Sequence, residues 1–287
     1  MYEALDTAEF DAAIRLRTDQ LGGSLSALPP LRLSNARMEA SPGRGGPNGG
    51  YLAALAIRAA EQALTPGAPV RTVSVQYLAK PDFAPLTLEA SRLRGARTTT
   101  FAQVVAHQAG DTRFTAGLTF GQDATSPAHR PLSRPAGVAQ PEGLAPLDLP
   151  PAIVPHFTQL ADYRPAGAGF PFANGEEAVI RIWMRLNDGL PLDAARLAFL
   201  FDAVFPSFYA VTDRPWPAAT VDLRYDFARA LTPDVAPDGW ALFEFRTRDW
   251  ANGWAVEDGT AWNRAGELLG VARQLRKVLA RGASAAV

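Results

Sequence analysis

The chain of 287 residues carries 28 Lys and Arg against 29 Asp and Glu, and this balance leaves no basic field that would hold a polyanion such as DNA. The absence of cysteine excludes a disulfide framework, a thiolate metal site and a cysteine nucleophile. Hydrophobic residues make up 47% of the chain, which is enough for the core of one large domain or two of ordinary size. We therefore expect a folded protein that does not bind nucleic acid.

The N-terminal stretch MYEALDTAEFDAAIRLRTDQ carries acids instead of the basic region of a secretory signal, and it has no apolar core segment. No run of about 18 apolar residues occurs anywhere in the sequence. These two observations predict a soluble, cytoplasmic protein with no membrane partner.

The first half of the chain is predicted to form one helix followed by strands. Glycines and Asn48 precede an Ala- and Leu-rich segment in GGPNGGYLAALAIRAAEQAL, which indicates a helix that ends near TPG at 65–67. Four predicted strands follow: TVSVQYLA, LTLEASRLRG, TTTFAQVVAHQ and TRFTAGLTFG.

A proline-rich segment lies near the middle of the chain. Between Gln122 and Phe157 it holds eight of the 24 prolines and has almost no periodic apolar pattern. Because proline lacks the N–H that helices and strand ladders need, this segment is predicted to be an extended connector.

The second half repeats the order of the first. A strand is predicted at AVIRIWMRL and a helix at LDAARLAFLFDAVF, residues 192–205. The predicted strands after this helix are ATVDLRYDFAR, WALFEFRTRD, GWAVEDGTAWN and ELLGVARQLRKVL.

One strand pattern occurs twice, in RTVSVQYL and again in ATVDLRYDF. The matching positions are Thr72 with Thr220, Val73 with Val221, Val75 with Leu223, and Tyr77 with Tyr225. We therefore predict two copies of one unit, an N-terminal unit at 1–121 and a C-terminal unit at 161–287, joined by the connector at 122–160. Each unit is expected to be α+β, with an antiparallel sheet around one long helix and the two sheets continuous.

Three polar residues of the second half are candidates for chemistry. Asp202 lies among apolar residues of the predicted helix, so its carboxylate is expected to be shielded, unless it is a boundary acid that reaches solvent or caps a neighbouring element. Thr220 opens the repeated strand, where a hydroxyl can hold a water, although threonine also suits strands by its shape alone. Gln274 shares a strand face with small residues that leave space beside it, or else its amide lies in water. The pattern leaves both interpretations open for each residue.

Five motifs together resemble one family. In this order, GRGGPNGGYLAALAIRAA, SVQYLAKPDF, LAFLFDAVFPS, ATVDLRYDF and GELLGVARQL are similar to the double-hotdog thioesterases, in particular the acyl-CoA thioesterase II type. The resemblance covers nearly the whole chain apart from the connector and the first thirty or so residues. It implies a double hotdog, two tandem hotdog units that each wrap an antiparallel sheet around a long helix.

The resemblance also implies a reaction and its residues. Members of this family use an Asp, a Thr or Ser, and a Gln to bind and activate one water, and Asp202, Thr220 and Gln274 match those positions. The implied reaction is hydrolysis of acyl-CoA thioesters to free acid and CoA, with Asp202 as general base and no covalent intermediate. The first copy has Ala54 and Leu118–Phe120 near the corresponding positions, which implies one active site per chain.

Asn48, Gly49 and Gly50 are the candidate substrate-binding residues, since N–H groups at a helix start can stabilise an oxyanion and glycine allows close approach. The alternative is that Asn48 caps the helix and the glycines turn the chain. No cofactor is expected, and no metal, because only three histidines occur and two of them lie in the connector.

Two other functions stay open. A hotdog hydratase or dehydratase would resemble its relatives in pairing an Asp with a His near a helix, and no histidine lies near either predicted helix here. A non-catalytic acyl-binding hotdog protein is opposed only by the joint presence of the three candidate residues. The expected partner is a small-molecule acyl-CoA, and the resemblance also leads us to expect a homo-oligomer of undetermined size.

Two features depart from the family pattern. One is the connector, which is long and unusually proline-rich, and the other is Pro206. Pro206 follows Asp202 closely and is expected to end or kink the predicted helix. Five of the six tryptophans come after that helix, where they would form either a short acyl tunnel or part of the strand core.

Overall fold

The computed structural model describes residues 9–18 and 24–279, which form three α-helices and one sheet of twelve antiparallel strands. The helices are α1 (Glu9–Ala13), α2 (Gly49–Leu64) and α3 (Ala194–Phe201). The strands are β1 (Arg17–Thr18), β2 (Leu25–Ala27), β3 (Val70–Tyr77), β4 (Leu86–Gly95), β5 (Thr99–Gln108), β6 (Asp111–Gly121), β7 (Ala161–Pro165), β8 (Val179–Leu186), β9 (Ala218–Phe227), β10 (Ala241–Ala251), β11 (Trp254–Trp262) and β12 (Leu268–Val278). Short 3₁₀ helices lie at Leu31–Leu33, Pro42–Arg44, Pro141–Gly143, His156–Leu160 and Ser207–Val211.

The strand order shows two similar halves joined at their centre. Across the sheet the order is β1-β2-β4-β5-β6-β3-β9-β12-β11-β10-β8-β7, so the repeated strands β3 and β9 are neighbours. In their antiparallel register Val75 faces Leu223, and these are two positions that the sequence repeat equates. A residue faces its own counterpart only where a two-fold axis passes, so the two copies are related by an approximate two-fold at this pair. The predicted fold class, a double hotdog with a continuous sheet, is confirmed.

Helices α2 and α3 lie against each other on one face of the sheet, and the core fills the space between them and the strands. Helix α2 is buried along most of its length, which explains why its inner residues are small alanines with a few leucines. Within the described ranges, no helix combines the length and the apolar character needed to cross a bilayer.

Helix α3 is shorter than the sequence predicts. It ends at Phe201, and Asp202 is the C-cap residue, with φ −113° and ψ 10°. The Asp202 N–H donates to the carbonyl of Phe199 (3.0 Å), three residues back, as in a 3₁₀ helix, instead of four. Pro206 explains the early end, because a helix that continued to it would bring its ring against the Asp202 carbonyl four residues back. The predicted helix at 192–205 was therefore too long, and Asp202 lies just beyond it.

The end of the connector lies on the helix side of the sheet, where the Phe157 ring contacts Phe199 of α3. The segment 132–144 of the connector packs on the opposite face of the sheet. Indole N–H groups hold it there: Trp183 Nε1 donates to the Ala139 carbonyl and Trp262 Nε1 to the Leu132 carbonyl, both at 2.9 Å. These tryptophans form an apolar cluster with Trp240, and connector residues pack onto it. The acyl-tunnel interpretation is therefore wrong for Trp240 and Trp262, which lie on the far side of the sheet from Asp202.

Candidate active site

Asp202 lies where the end of α3 meets the start of α2, and only 8% of its surface is exposed. Its Oδ2 accepts hydrogen bonds from the Gly50 N–H (2.9 Å) and from Asn48 Nδ2 (3.2 Å). Asn48 Nδ2 also donates to the Asp202 main-chain oxygen (3.0 Å), and Asn48 Oδ1 accepts from the Tyr51 N–H and so caps α2. The carboxylate is thus held at the positive end of a helix. This burial excludes an acid that reaches solvent, whereas the bond from the Gly50 N–H agrees with the other alternative, an acid that caps a neighbouring element.

Two glycines allow this close approach of the helices. A Cβ atom on Gly50 would lie 2.9 Å from the Ala198 carbonyl oxygen and 2.9 Å from Asp202 Cβ, and one on Gly49 would lie 2.9 Å from Asp202 Oδ2. The Tyr77 hydroxyl donates to the Gly49 carbonyl (2.7 Å) and fixes the start of α2. Asn48 and Gly50 therefore orient Asp202 in this structure. Contact of Asn48, Gly49 and Gly50 with a substrate stays a prediction.

Gln274 connects Asp202 with Thr220. Its Nε2 donates to Asp202 Oδ1 (2.9 Å) and to Thr220 Oγ1 (2.5 Å). The pairing of β9 with β12 shifts register between Leu275 and Arg276, so Val221 is an extra residue and Thr220 turns towards the amide. Gln274 is only 3% exposed, which excludes an amide lying in water. The structure brings the three candidate residues into one hydrogen-bonded set.

The pKa of Asp202 reflects opposing influences. Burial raises it above the ordinary carboxyl value, and this is the largest effect. The Arg276 charge and the donors from Gln274 and the Gly50 N–H lower it, whereas the Glu257 charge raises it. The result is a raised pKa, so Asp202 is a stronger proton acceptor than an exposed aspartate.

Two buried charged residues beside the site were missed by the sequence analysis. Arg276 Nη2 donates to Gln274 Oε1 (2.5 Å) and to Glu257 Oε1 (3.2 Å), and it lies 4.0 Å from Asp202 Oδ1. Glu257 Oε2 accepts from the Ser207 N–H at 2.5 Å. The strand period contained a signal, because Arg276 lies two residues after Gln274 and must share its face.

The described residues of the first copy contain no such set, and the residues that correspond to the site differ from those predicted. Leu223 faces Gln274, and its counterpart Val75 faces Ala116, so Ala116 and not Leu118–Phe120 corresponds to Gln274. On the helices, Asp202 lies nine residues after Asp193, the N-cap of α3. Nine residues after Asn48, the N-cap of α2, lies Ile57, so Ile57 and not Ala54 corresponds to Asp202.

The described part of the chain contains no group of three His, Cys, Asp or Glu side chains placed to hold a metal ion. The polar atoms that contact the Asp202 side chain belong to Asn48, Gly50, Gln274 and Arg276. Such a set can orient a water and accept its proton.

Two family models match the chain, one on each half. The family model for the acyl-CoA thioesterase N-terminal domain matches residues 38–121, and the model for the acyl-CoA thioesterase C-terminal domain matches residues 141–276. Among curated proteins, none matches the chain in sequence.

Solved structures share the fold over nearly the whole chain. A conserved hot dog protein of unknown function from Alicyclobacillus acidocaldarius is 26% identical, with a TM-score of 0.86, over 95% of this chain and 98% of that one. The acyl-CoA thioesterase II TesB2 from Mycobacterium marinum is 19% identical, with a TM-score of 0.72, over 96% of this chain and 100% of that one. A tesB protein from Mycobacterium avium subs paratuberculosis is also 19% identical, with a TM-score of 0.74 and the same coverage. With one family model on each half and the double hotdog fold throughout, the chain belongs to the acyl-CoA thioesterase family.

Proposed function

We propose that the chain hydrolyses acyl-CoA thioesters to free acid and CoA, with one water activated by Asp202, Thr220 and Gln274. The observation that carries this proposal is the hydrogen-bonded set in which Gln274 Nε2 contacts both Asp202 Oδ1 and Thr220 Oγ1. A buried carboxylate with a raised pKa costs stability, and a catalytic task accounts for its presence.

The hydrogen bonds decide which atoms face the water. Asp202 Oδ2 already accepts from Gly50 and Asn48, whereas among the described residues Oδ1 accepts a hydrogen bond from Gln274 alone, which leaves a lone pair for a water. Because Thr220 Oγ1 accepts from Gln274, its own hydroxyl hydrogen is free to donate. A water placed between Oδ1 and Thr220 gives one proton to Asp202 and accepts a hydrogen bond from the Thr220 hydroxyl.

The reaction balances without a covalent enzyme intermediate. The water oxygen bonds to the thioester carbonyl carbon while Asp202 takes its proton, and a tetrahedral oxyanion forms. Collapse of this oxyanion breaks the C–S bond, and the departing CoA thiolate receives the proton from Asp202. The first N–H groups of a helix have no acceptor within the helix, and the Gly50 N–H already donates to Asp202. We therefore assign the oxyanion to the Gly49 N–H.

The other two functions have less support. A dehydratase needs a histidine beside the acid, and the polar side chains that contact Asp202 belong to Asn48, Gln274 and Arg276. A protein that only binds acyl groups has no use for an oriented carboxylate that opposes folding. Homo-oligomer formation stays a prediction, which light scattering tests.

The test is thiol release from a panel of acyl-CoA thioesters of different chain length, with the Asp202→Asn variant as background. Matched oxygen esters and acyl-carrier-protein thioesters form two comparison arms. We expect release from acyl-CoA well above the background and faster than ester hydrolysis. No release above the background across the panel would refute the proposed function. Strong preference for the carrier protein would refute only the assignment of CoA.

A further inference from the structure

We propose that Arg276, held by Glu257, is a positioning residue that fixes the Gln274 amide with its nitrogen towards Asp202 and Thr220. This inference rests on the proposed function, because it assigns a cause to the orientation of a water-binding residue. Arg276 is 7% exposed and Glu257 3% exposed, so both charges are buried beside the site.

A side-chain amide has two ends of similar size, and only its partners decide which end points where. Arginine has five N–H donors and no acceptor, so the end of Gln274 that meets Arg276 must be the oxygen. The nitrogen end then faces two acceptors, the Asp202 carboxylate and the Thr220 hydroxyl. In the reversed orientation the oxygen would face a carboxylate and the nitrogen would face a guanidinium, and both contacts would be repulsive.

Glu257 holds Arg276 in place from the next strand. Gln274 and Glu257 face each other in the register of β11 and β12, and Arg276 lies two residues further along the same face. Glu257 Oε1 accepts from Arg276, while Oε2 accepts from the Ser207 N–H, on the segment that follows Asp202. Glu257 therefore links the arginine to the chain that carries the base.

The first copy shows that the fold does not need these charges. The strand register makes Ala116 the counterpart of Gln274, so the counterpart of Arg276 is Leu118, and Val104, which faces Ala116, corresponds to Glu257. Leu118 and Val104 are buried apolar residues in an equivalent position of the same sheet. Buried ion pairs are often replaceable by apolar residues without loss of stability, so the charged pair is retained for another purpose.

The double variant Arg276→Leu/Glu257→Val, which copies the residues of the first unit, tests this role. It removes both charges together, so neither is left buried and unpaired. Arg276→Lys keeps a side chain that can only donate hydrogen bonds, so the Gln274 oxygen should still face it. Arg273→Leu is the matched control, because Arg273 lies on the same strand and pairs with Asp258 on the opposite, exposed face.

We expect the double variant to unfold cooperatively and to lower kcat about tenfold or more, with KM within about threefold, because a misplaced water affects the reaction more than substrate binding. The single variant Arg276→Lys should retain most of the parent's kcat, and the kcat of Arg273→Leu should stay within about twofold of the parent. In a Gln274→Ala background the double variant should change kcat by less than about twofold, since its target is already gone. An equal loss of kcat in both backgrounds, or no loss in the parent background, would overturn the inference.

The side-chain amide signals of Gln274 in an NMR spectrum, assigned by their absence in Gln274→Ala, provide a readout that needs no activity. In the parent they should exchange slowly with solvent, and in the double variant they should exchange faster and lose their distinct shifts. If the parent hydrolyses no thioester but these signals change as expected, the proposed function fails and the positioning role stands. If the signals do not change, the positioning role fails.

Discussion

Replacing Asp202 with Asn tests the proposed base most directly, because the two side chains have nearly the same shape. Asp202 accepts from three donors, the Gly50 N–H, Asn48 Nδ2 and Gln274 Nε2. An asparagine can keep its oxygen towards α2, but its own NH₂ group then meets the Gln274 nitrogen, so two donors face each other. The variant loses the proton acceptor and one hydrogen bond of the water-binding set.

These losses set the expected magnitudes. A positioned acid–base group contributes about 10²–10⁴-fold to a rate, so kcat should fall about 100-fold or more, while KM changes less than about threefold. Because burial raises the pKa of Asp202, its charged form opposes folding at neutral pH, and removing the charge offsets the lost hydrogen bond, worth about 1 kcal/mol. The melting temperature should therefore stay within about 4 °C of the parent.

The assay measures thiol release at saturating acyl-CoA and the melting temperature on the same preparation. Asp226→Asn is the matched control, since Asp226 pairs with Arg224 on the face of β9 away from the core, and its kcat should stay within about twofold. A stable Asp202→Asn variant with turnover within a few-fold of the parent would remove the central residue of the mechanism.

Three further predictions concern the same site. Thr220→Ala and Gln274→Ala should each lower kcat less than Asp202→Asn and add little to it in double variants, because all three act on one water; additive losses would contradict this. Gly50→Ala should destabilise the fold by about 1–3 kcal/mol and lower kcat, since its Cβ would lie 2.9 Å from the Ala198 carbonyl oxygen. Gly117→Ala is the control, because its Cβ would have nothing within 4 Å, and it should change neither the denaturation midpoint nor the turnover rate. The kcat/KM profile should fall on acidification through the raised pKa of Asp202. Between the ordinary pKa of the unfolded aspartate and this raised pKa, the folded chain holds a proton that the unfolded chain has lost, so stability decreases as pH rises. Melting temperatures measured over this pH range should show the decrease in the parent and not in Asp202→Asn.

The fold could be predicted because its signal is repeated. The period-two pattern around Thr72 and Thr220 occurs on two strands that become neighbours, and their register places Val75 against Leu223 as a two-fold requires. The end of α3 could not be predicted as well, because the apolar periodicity continues past Phe201 and the helix does not. The clash that Pro206 would make with the Asp202 carbonyl was the better guide to that boundary.

The site could be predicted only where a resemblance supplied the roles. The family motifs contain Asp202, Thr220 and Gln274. The sequence analysis missed Arg276 and Glu257, because charged residues in strands are ordinarily taken to face solvent. The difference between the two copies also indicates these residues, but the strand register is needed to align the copies. Both copies build the same sheet, and at the three inward positions of this network one copy has Val104, Ala116 and Leu118 while the other has Glu257, Gln274 and Arg276. The apolar set suffices for the fold in the first copy, so the fold alone does not require the polar set in the second. This difference between the copies is why we assign the polar set to the proposed chemistry.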